Sequence, residues 1–312
     1  MPHKIRIGSR GSELALWQSY HVKTLLEARF PGISIDVQKI KTTGDKIQDA
    51  PLAKIGDKGL FTKELEIALL DERVDIAVHS FKDVPTFVPE GLAIAAVLER
   101  EDVHDVFIVH SKKSHRTFLD LPANAVIATG SLRRKCQLLN VRPDLQIVEI
   151  RGNLNTRMKK LDSSEWDGMI LAKAGVTRLG WELRITDMLP FELMLPAVGQ
   201  GALAIESRAG DRSVVDMLRP LHHERTAVAV TAERALLRYF EGGCQIPIGA
   251  YGQIIGDTLH LDAVIGSLDG KRIVRGNKVG AIADAEHIGI VLAKQLLNQG
   301  GKEILEEIRQ PI

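Results

Sequence analysis

The chain reads as an α/β protein: two α/β domains followed by an α+β tail. Three observations predict this. Up to about residue 206, short β-rich runs alternate with amphipathic helices, the pattern of α/β units around largely parallel sheets. Roughly ten such runs are too many for one small domain, and a charged stretch, Glu99 to Asp105, falls between two of them. Beyond residue 224 the order changes to a long helix, three close-set strands and two helices, which suits a separate α+β domain.

Each element follows from its residues. Lys4 to Gly8 is predicted as a strand, Glu13 to Phe30 as an amphipathic helix, and Ile33 to Lys41 as an alternating strand. Thr42 to Gly59 carries Gly44, Pro51, Gly56 and Gly59 with little apolar periodicity, and reads as a long functional loop or lid. Helices are predicted at Thr62 to Asp71, Leu132 to Asn140 and Leu154 to Leu161. Between them lie β-rich runs at Asp75 to Ser80, Leu92 to Leu98, Val106 to Val109 and Ala125 to Thr129. Gln146 to Ile150, Gly168 to Leu171 and Ala202 to Glu206 are further runs of the same kind. The tail begins with a helix, Glu224 to Phe240, ended by Gly242-Gly243. Strands follow at Ile248 to Ile255, Leu259 to Ile265 and Arg272 to Val279, with turns at Gly256-Asp257 and Leu268-Asp269-Gly270. No internal repeat or low-complexity segment interrupts this order.

Composition narrows the function. The 312 residues carry 41 Lys and Arg against 40 Asp and Glu, a net charge of +1. That balance excludes a generally basic nucleic-acid coat and an acidic disordered tail. Only Cys136 and Cys244 are present, so a disulfide scaffold is excluded and a reducing compartment is expected. No apolar run approaches the ~20 residues that span a bilayer. Met1-Pro2-His3-Lys4-Ile5-Arg6 places charges where a signal peptide would be apolar. A cytoplasmic enzyme or ligand binder is expected.

The chemistry gathers at a recurring junction. Four times a strand ends in small or hydroxyl residues beside a basic side chain, and a helix begins. These are Gly8-Ser9-Arg10-Gly11-Ser12, Thr129-Gly130-Ser131-Leu132-Arg133-Arg134, Arg151-Gly152-Asn153 with Arg157, and Leu171-Ala172-Lys173-Ala174-Gly175 with Arg178. A helix N-terminus offers free N–H groups and partial positive charge. Ser or Asn belongs there as a cap, but Arg opposes the dipole. Any one junction is as well read as a solvated arginine beside an ordinary cap. All four together point to a ligand with several negative charges, gripped by planar guanidinium forks. In α/β sheets such junctions share the edge where ligands bind.

Two further residues stand out. Asp83, in His79-Ser80-Phe81-Lys82-Asp83-Val84-Pro85, sits where a buried strand runs into a polar corner. It suits either a turn cap or a carboxylate that stabilises a cationic intermediate and exchanges a proton. Cys244 lies in Gly242-Gly243-Cys244-Gln245-Ile246-Pro247, a bent segment after a helix end. It suits a small packed hydrophobe, a nucleophile or an attachment point. Cys136, inside a helix, reads as core. Gly199-Gln200-Gly201 precedes a strand, the wrong context for a dinucleotide fingerprint. His222 and His223 are adjacent and make a poor metal pair. With no paired-Cys motif either, no metal site is expected. Trp17, Trp166 and Trp181 are scattered and read as core or rim residues.

These segments together resemble the porphobilinogen deaminase (hydroxymethylbilane synthase) family, essentially end to end. The most specific is Glu233-Arg234 followed by Gly242-Gly243-Cys244-Gln245-Ile246-Pro247-Ile248-Gly249. His79 to Pro85, Ser131-Leu132-Arg133-Arg134, Arg151-Gly152-Asn153 and Leu195-Pro196-Ala197-Val198-Gly199-Gln200-Gly201 support it. The resemblance implies two periplasmic-binding-protein-like α/β domains, 1–98 with 200–219 and 104–195. It also implies a C-terminal α+β domain, 224–312, with a three-stranded antiparallel sheet. It implies a transferase that joins four porphobilinogen molecules head to tail, releasing ammonia each time, to give linear hydroxymethylbilane for haem biosynthesis. A dipyrromethane cofactor would hang on Cys244 through a thioether.

Further roles are carried by the same resemblance. Asp83 matches the catalytic carboxylate. Arg10, Ser12, Arg133, Arg134, Arg151, Arg157 and Arg178 match positions that meet cofactor or substrate carboxylates. Thr129, Ser131 and Lys82 match cofactor contacts, and Lys54 and Lys58 match lysines of the lid. A cytoplasmic monomer without nucleic-acid or membrane partners is implied. Two positions depart from the family pattern. Gly130 stands where a serine is common, and Lys173 where a small apolar residue is common. A passive binder of small polyanions is the competing reading, and a glycine-flanked cysteine in a third domain argues against it. A nucleotide-dependent enzyme is disfavoured by the absence of a phosphate loop.

Overall fold

The structure, a computed structural model, describes residues 4–46, 59–240 and 246–309. The first stretch carries β1 (Lys4–Ser9), α1 (Glu13–Arg29), β2 (Ser34–Lys39), α2 (Lys63–Leu70), β3 (Ile76–Ser80) and β4 (Leu92–Val97). The second carries β5 (Asp105–Val109), β6 (Val126–Ala128), α3 (Leu132–Val141), β7 (Gln146–Val148), α4 (Leu154–Asp162), β8 (Gly168–Ala172), α5 (Lys173–Arg178) and β9 (Asp187–Met188). Then come β10 (Leu203–Arg208), α6 (Arg212–Leu218) and α7 (Glu224–Tyr239). The tail holds β11 (Ile248–Ile255), β12 (Thr258–Gly266), β13 (Ile273–Ala281), α8 (Ala285–Leu296) and α9 (Lys302–Arg309).

The chain forms two compact units, one of residues up to 101 with 201–227, the other of 102–200 with 228 onward. The first holds a five-stranded sheet in the order β2-β1-β3-β10-β4. β1, β2 and β3 are parallel, and β10 inserts antiparallel to both β3 and β4. The second unit repeats this plan as β7-β6-β8-β5-β9, with β5 antiparallel to both neighbours. Both sheets are therefore largely parallel, with one inserted strand that runs against the other four. In the first unit the antiparallel strand, β10, comes from beyond the second unit's 102–200 segment, whereas β5 opens that segment. The two sheets share one strand plan, the pair of like α/β domains that the resemblance implied.

Burial explains the strand signals. In β5, Phe107 and Val109 join one core with Leu138 of α3, while Val106 and Ile108 join another with Leu161 of α4. Both faces are covered, so β5 reads as a continuous apolar run. In the first unit, Val22 and Leu26 of α1 and Met217 of α6 cover one face, and Leu65 and Leu69 of α2 the other. The tail is the expected antiparallel meander, with α7, α8 and α9 packed over one face. Its first turn uses Gly256 at φ 59°, the left-handed conformation that a two-residue hairpin demands. Among the described residues no helix is long and apolar enough to cross a membrane.

Candidate active site

Parallel strands end on one edge, and the predicted junctions lie there. In the first unit this edge holds the ends of β1 and β3. Ser12 caps α1, its Oγ accepting the Ala15 N–H at 3.3 Å. Arg10 does not present an open fork. Its Nη2 and Nε lie 2.5 and 3.3 Å from the carboxylate of Asp45, and its guanidinium sits 4.1 Å from the Phe61 ring centre. Burial would raise the Asp45 carboxyl, but the Arg10 hydrogen bonds and charge, with Thr42, hold it below its ordinary value.

Beyond β3 the chain makes one 3-10 turn, Phe81–Asp83, whose first N–H donates to the Ala202 carbonyl. Buried Phe81 anchors the turn, so Lys82 is half-buried and Asp83 exposed. Asp83 shares a small recess with Arg10, Gln18, His79 and Ser80. Gln18, on the buried face of α1, donates to Ser80 Oγ at 2.7 Å.

In the second unit the ends of β6, β7 and β8 share an edge, and three of the four junctions meet there. Ser131 caps α3 by accepting the Arg134 N–H, and Asn153 caps α4 by accepting the Thr156 N–H. Thr129 Oγ1 accepts the Ser131 N–H at 3.2 Å. Gly130 is fixed by close approach: a Cβ there would stand 2.7 Å from the Ile150 carbonyl oxygen. The serine common in the family has no room here without movement of that backbone. Gly152 adopts φ 110° and a Cβ there would meet Thr156.

Arg133 and Arg134 are both buried around Asp105 on β5. Arg133 Nη1 donates to Asp105 Oδ2 at 2.6 Å and to the Leu195 carbonyl at 2.7 Å. Arg134 Nη2 donates to Asp105 Oδ1 at 2.7 Å, and its Nη1 to the Ile170 carbonyl. Gln200 Nε2 adds a third donor to Asp105 at 3.0 Å. Burial alone would raise the Asp105 carboxyl, but the two guanidiniums hold it well below the usual carboxylate range. The anion that makes first-turn arginines tolerable is thus partly the protein's own.

One carboxylate cannot balance two guanidiniums, so the edge stays positive. Among the described residues, Arg134 Nε and Arg151 Nη1 are buried without a hydrogen-bond partner. Arg157 Nε holds the Gly152 carbonyl at 2.9 Å, and Arg178 is buried one turn into α5. Lys173 turns to Asp102 at 2.7 Å, apart from these cations' partners. Cys136 is fully buried in α3, and burial pushes its thiol up to about 12, consistent with core packing.

Arg10, Ser12, Lys82 and Asp83 therefore belong to one edge, and Thr129, Ser131, Arg133, Arg134, Arg151, Arg157 and Arg178 to the other. Lys54, Lys58 and Cys244 lie outside the described residues. Asp45, Asp105 and Gln18 went unnoticed in the sequence. Gln18 did leave a signal, as a polar residue on the buried stripe of α1 with Ala15, Val22 and Leu26.

Comparison with known proteins gives one consistent result. Residues 5–216 match the family model described as porphobilinogen deaminase, dipyromethane cofactor binding domain. Residues 227–298 match the porphobilinogen deaminase C-terminal domain. The porphobilinogen deaminase of Desulforamulus reducens is 51% identical over 309 residues, covering 99% of both chains. That of Carboxydothermus hydrogenoformans is 54% identical over 310 residues, with the same coverage. That of Geobacter metallireducens is 52% identical over 309 residues, covering 99% of this chain and 96% of its own. Among solved structures, the periplasmic VFT2 domain of Bordetella pertussis BvgS is similar at 13% identity and TM-score 0.41, covering 69% of this chain and 85% of that one. The chain belongs to the porphobilinogen deaminase family, whose members are transferases.

Proposed function

We propose that the protein condenses four porphobilinogen molecules head to tail, with loss of ammonia at each coupling, to yield linear hydroxymethylbilane in tetrapyrrole and haem biosynthesis. The observation that carries this reading is the arginine edge of the second unit, net positive and partly unpartnered, in a chain of this family. Porphobilinogen and its oligomers bear an acetate and a propionate on every ring, so the ligand is a polycarboxylate.

The same edge fits the family's dipyrromethane cofactor. The unpartnered Arg134 Nε and Arg151 Nη1 are donors in need of an acceptor. Arg133, Arg157, Arg178, Thr129 and Ser131 would complete its binding on this edge. Cys244 would anchor it through a thioether. When bound, the cofactor supplies an electron-rich pyrrole α-carbon, so the protein needs no nucleophile for elongation.

The protein's share is binding, orientation and charge. Loss of ammonia leaves an electron-poor cation on the incoming substrate. Asp83, an exposed carboxylate fixed by the turn at the end of β3, stabilises that cation and accepts a proton. Arg10 and Ser12 would orient substrate carboxylates beside it, and Lys54 and Lys58 would close over it. We place the protein in the cytoplasm, as a monomer of three domains. The test is stoichiometry with purified protein and porphobilinogen. Four ammonia released per tetrapyrrole is expected; porphobilinogen bound without ammonia release would favour a passive polyanion binder.

A further inference from the structure

His79 and Glu206 form a buried couple that the chemistry above does not use. His79 is 5% exposed and Glu206 fully buried. Glu206 faces Ala77 across the β3–β10 pair, so it emerges on the same sheet face as His79, two residues on. The imidazole Nε2 lies 2.9 Å from Glu206 Oε2, while Oε1 has no hydrogen-bond partner among the described residues. A carboxylate placed so is costly, and a sheet needing only packing would hold apolar residues here.

His79 also lines the recess that holds Asp83. The cavity volume is about 20 Å³, and a water needs roughly 10–15 Å³ with two to four polar partners. Arg10, Gln18, Ser80 and Asp83 supply those partners. With Nε2 committed to Glu206, Nδ1 is the ring atom left to exchange a proton. The charged groups facing His79 are Glu206 from β10, Glu66 from α2, and Asp83 and Arg10 around the recess, with Glu64 next along α2. Burial raises the Glu66 carboxyl. Thr62 and His79 oppose that rise, and Glu206 and Glu64 add to it.

We propose that His79, oriented by Glu206, is a positioning residue that resets Asp83 after each coupling by passing its proton through a water in this recess. The proposal rests on the assignment of Asp83. At each coupling the substrate's C–N bond breaks, its electron pair leaving on ammonia. A C–C bond forms from the π electrons of the acceptor pyrrole. The proton of that α-carbon goes to the Asp83 carboxylate, its C–H electrons restoring the ring. Asp83 hands this proton across the water to His79 Nδ1, and the imidazolium is held by Glu206. The proton then returns across the recess water to the exposed Asp83 end, where the departing ammonia takes it and leaves as ammonium.

The test joins kinetics to a spectroscopic readout on intact, cofactor-loaded protein. His79→Gln is expected to lower kcat about 100-fold, with KM within about twofold and the covalent adduct mass unchanged. Glu206→Gln removes the charged partner of the ring, so the pH–rate limb is expected to differ from wild type. NMR of 15N-histidine-labelled wild type should show the His79 ring gaining a proton across that limb, at a pH that shifts in Asp83→Asn. A ring with fixed protonation over the active pH range overturns the relay even if His79→Gln fails to fold. So does His79→Gln with wild-type kcat and pH profile. Wild type lacking adduct and turnover would remove the enzymic reading, and the relay with it.

Discussion

Arg133 and Arg134 illustrate how a charge can be read correctly and its surroundings missed. Both arginines stand out in the first turn of α3, where they oppose the helix dipole. Asp105 does not, because it lies 28 and 29 residues earlier on a different strand. Asp45, 35 residues from Arg10, is hidden for the same reason. Asp105 is fully buried between two cations, so its folded pKa is depressed. Its stabilisation is therefore complete above its unfolded pKa of about 3.9, and is lost as pH falls through the lower folded value. Asp105→Asn should cost about 3–5 kcal/mol at pH 7 by stranding two buried guanidiniums. Urea unfolding at pH 7, 4 and 3 should show that gap narrowing below about pH 4; a constant gap would contradict the pairing. Asp83 behaves differently, since it is exposed and no packing depends on it. Asp83→Asn should retain the covalent cofactor while turnover falls by about 100-fold or more. Near-normal turnover with porphobilinogen would remove Asp83 from the chemistry.

Among elements, those with strong periodicity were legible and those set by partners were not. α1, β3, α3, α4 and the β11–β13 meander all lie where period and turn residues place them. β9, two residues long, has no period to read. α6 was hidden because only its Asp211 cap and three buried residues mark it. Strand direction was hidden as well, since an antiparallel strand buried on both faces carries the same apolar run as a parallel one. Junction geometry, by contrast, is written in single residues. Gly152 at φ 110° with Thr156 against it leaves no place for a side chain. Gly152→Ala should destabilise by about 1–3 kcal/mol and weaken cofactor retention by displacing Arg151. Thermal unfolding and intact mass measure both effects; an unchanged Tm would mean the junction relaxes freely.

For the whole molecule, the charge balance of 41 against 40 excludes a generally basic surface but hides local charge. Cations gather at sheet edges, some neutralised by Asp45 and Asp105, others left with donors unpartnered. An almost neutral chain can thus carry a local site for a small polycarboxylate. The return of the chain to the first unit, which takes β10 from beyond the second unit's sequence, was legible only through family resemblance. Periodicity reports local faces and says nothing of which distant strand fills a gap.

The proposed attachment of a covalent cofactor to Cys244 is tested most directly by the intact mass of the purified protein. Wild type should exceed the mass of its sequence by one dipyrromethane unit, and Cys244→Ala should show the bare chain and no turnover. An active wild type of unmodified mass, or Cys244→Ala with normal activity, would contradict it.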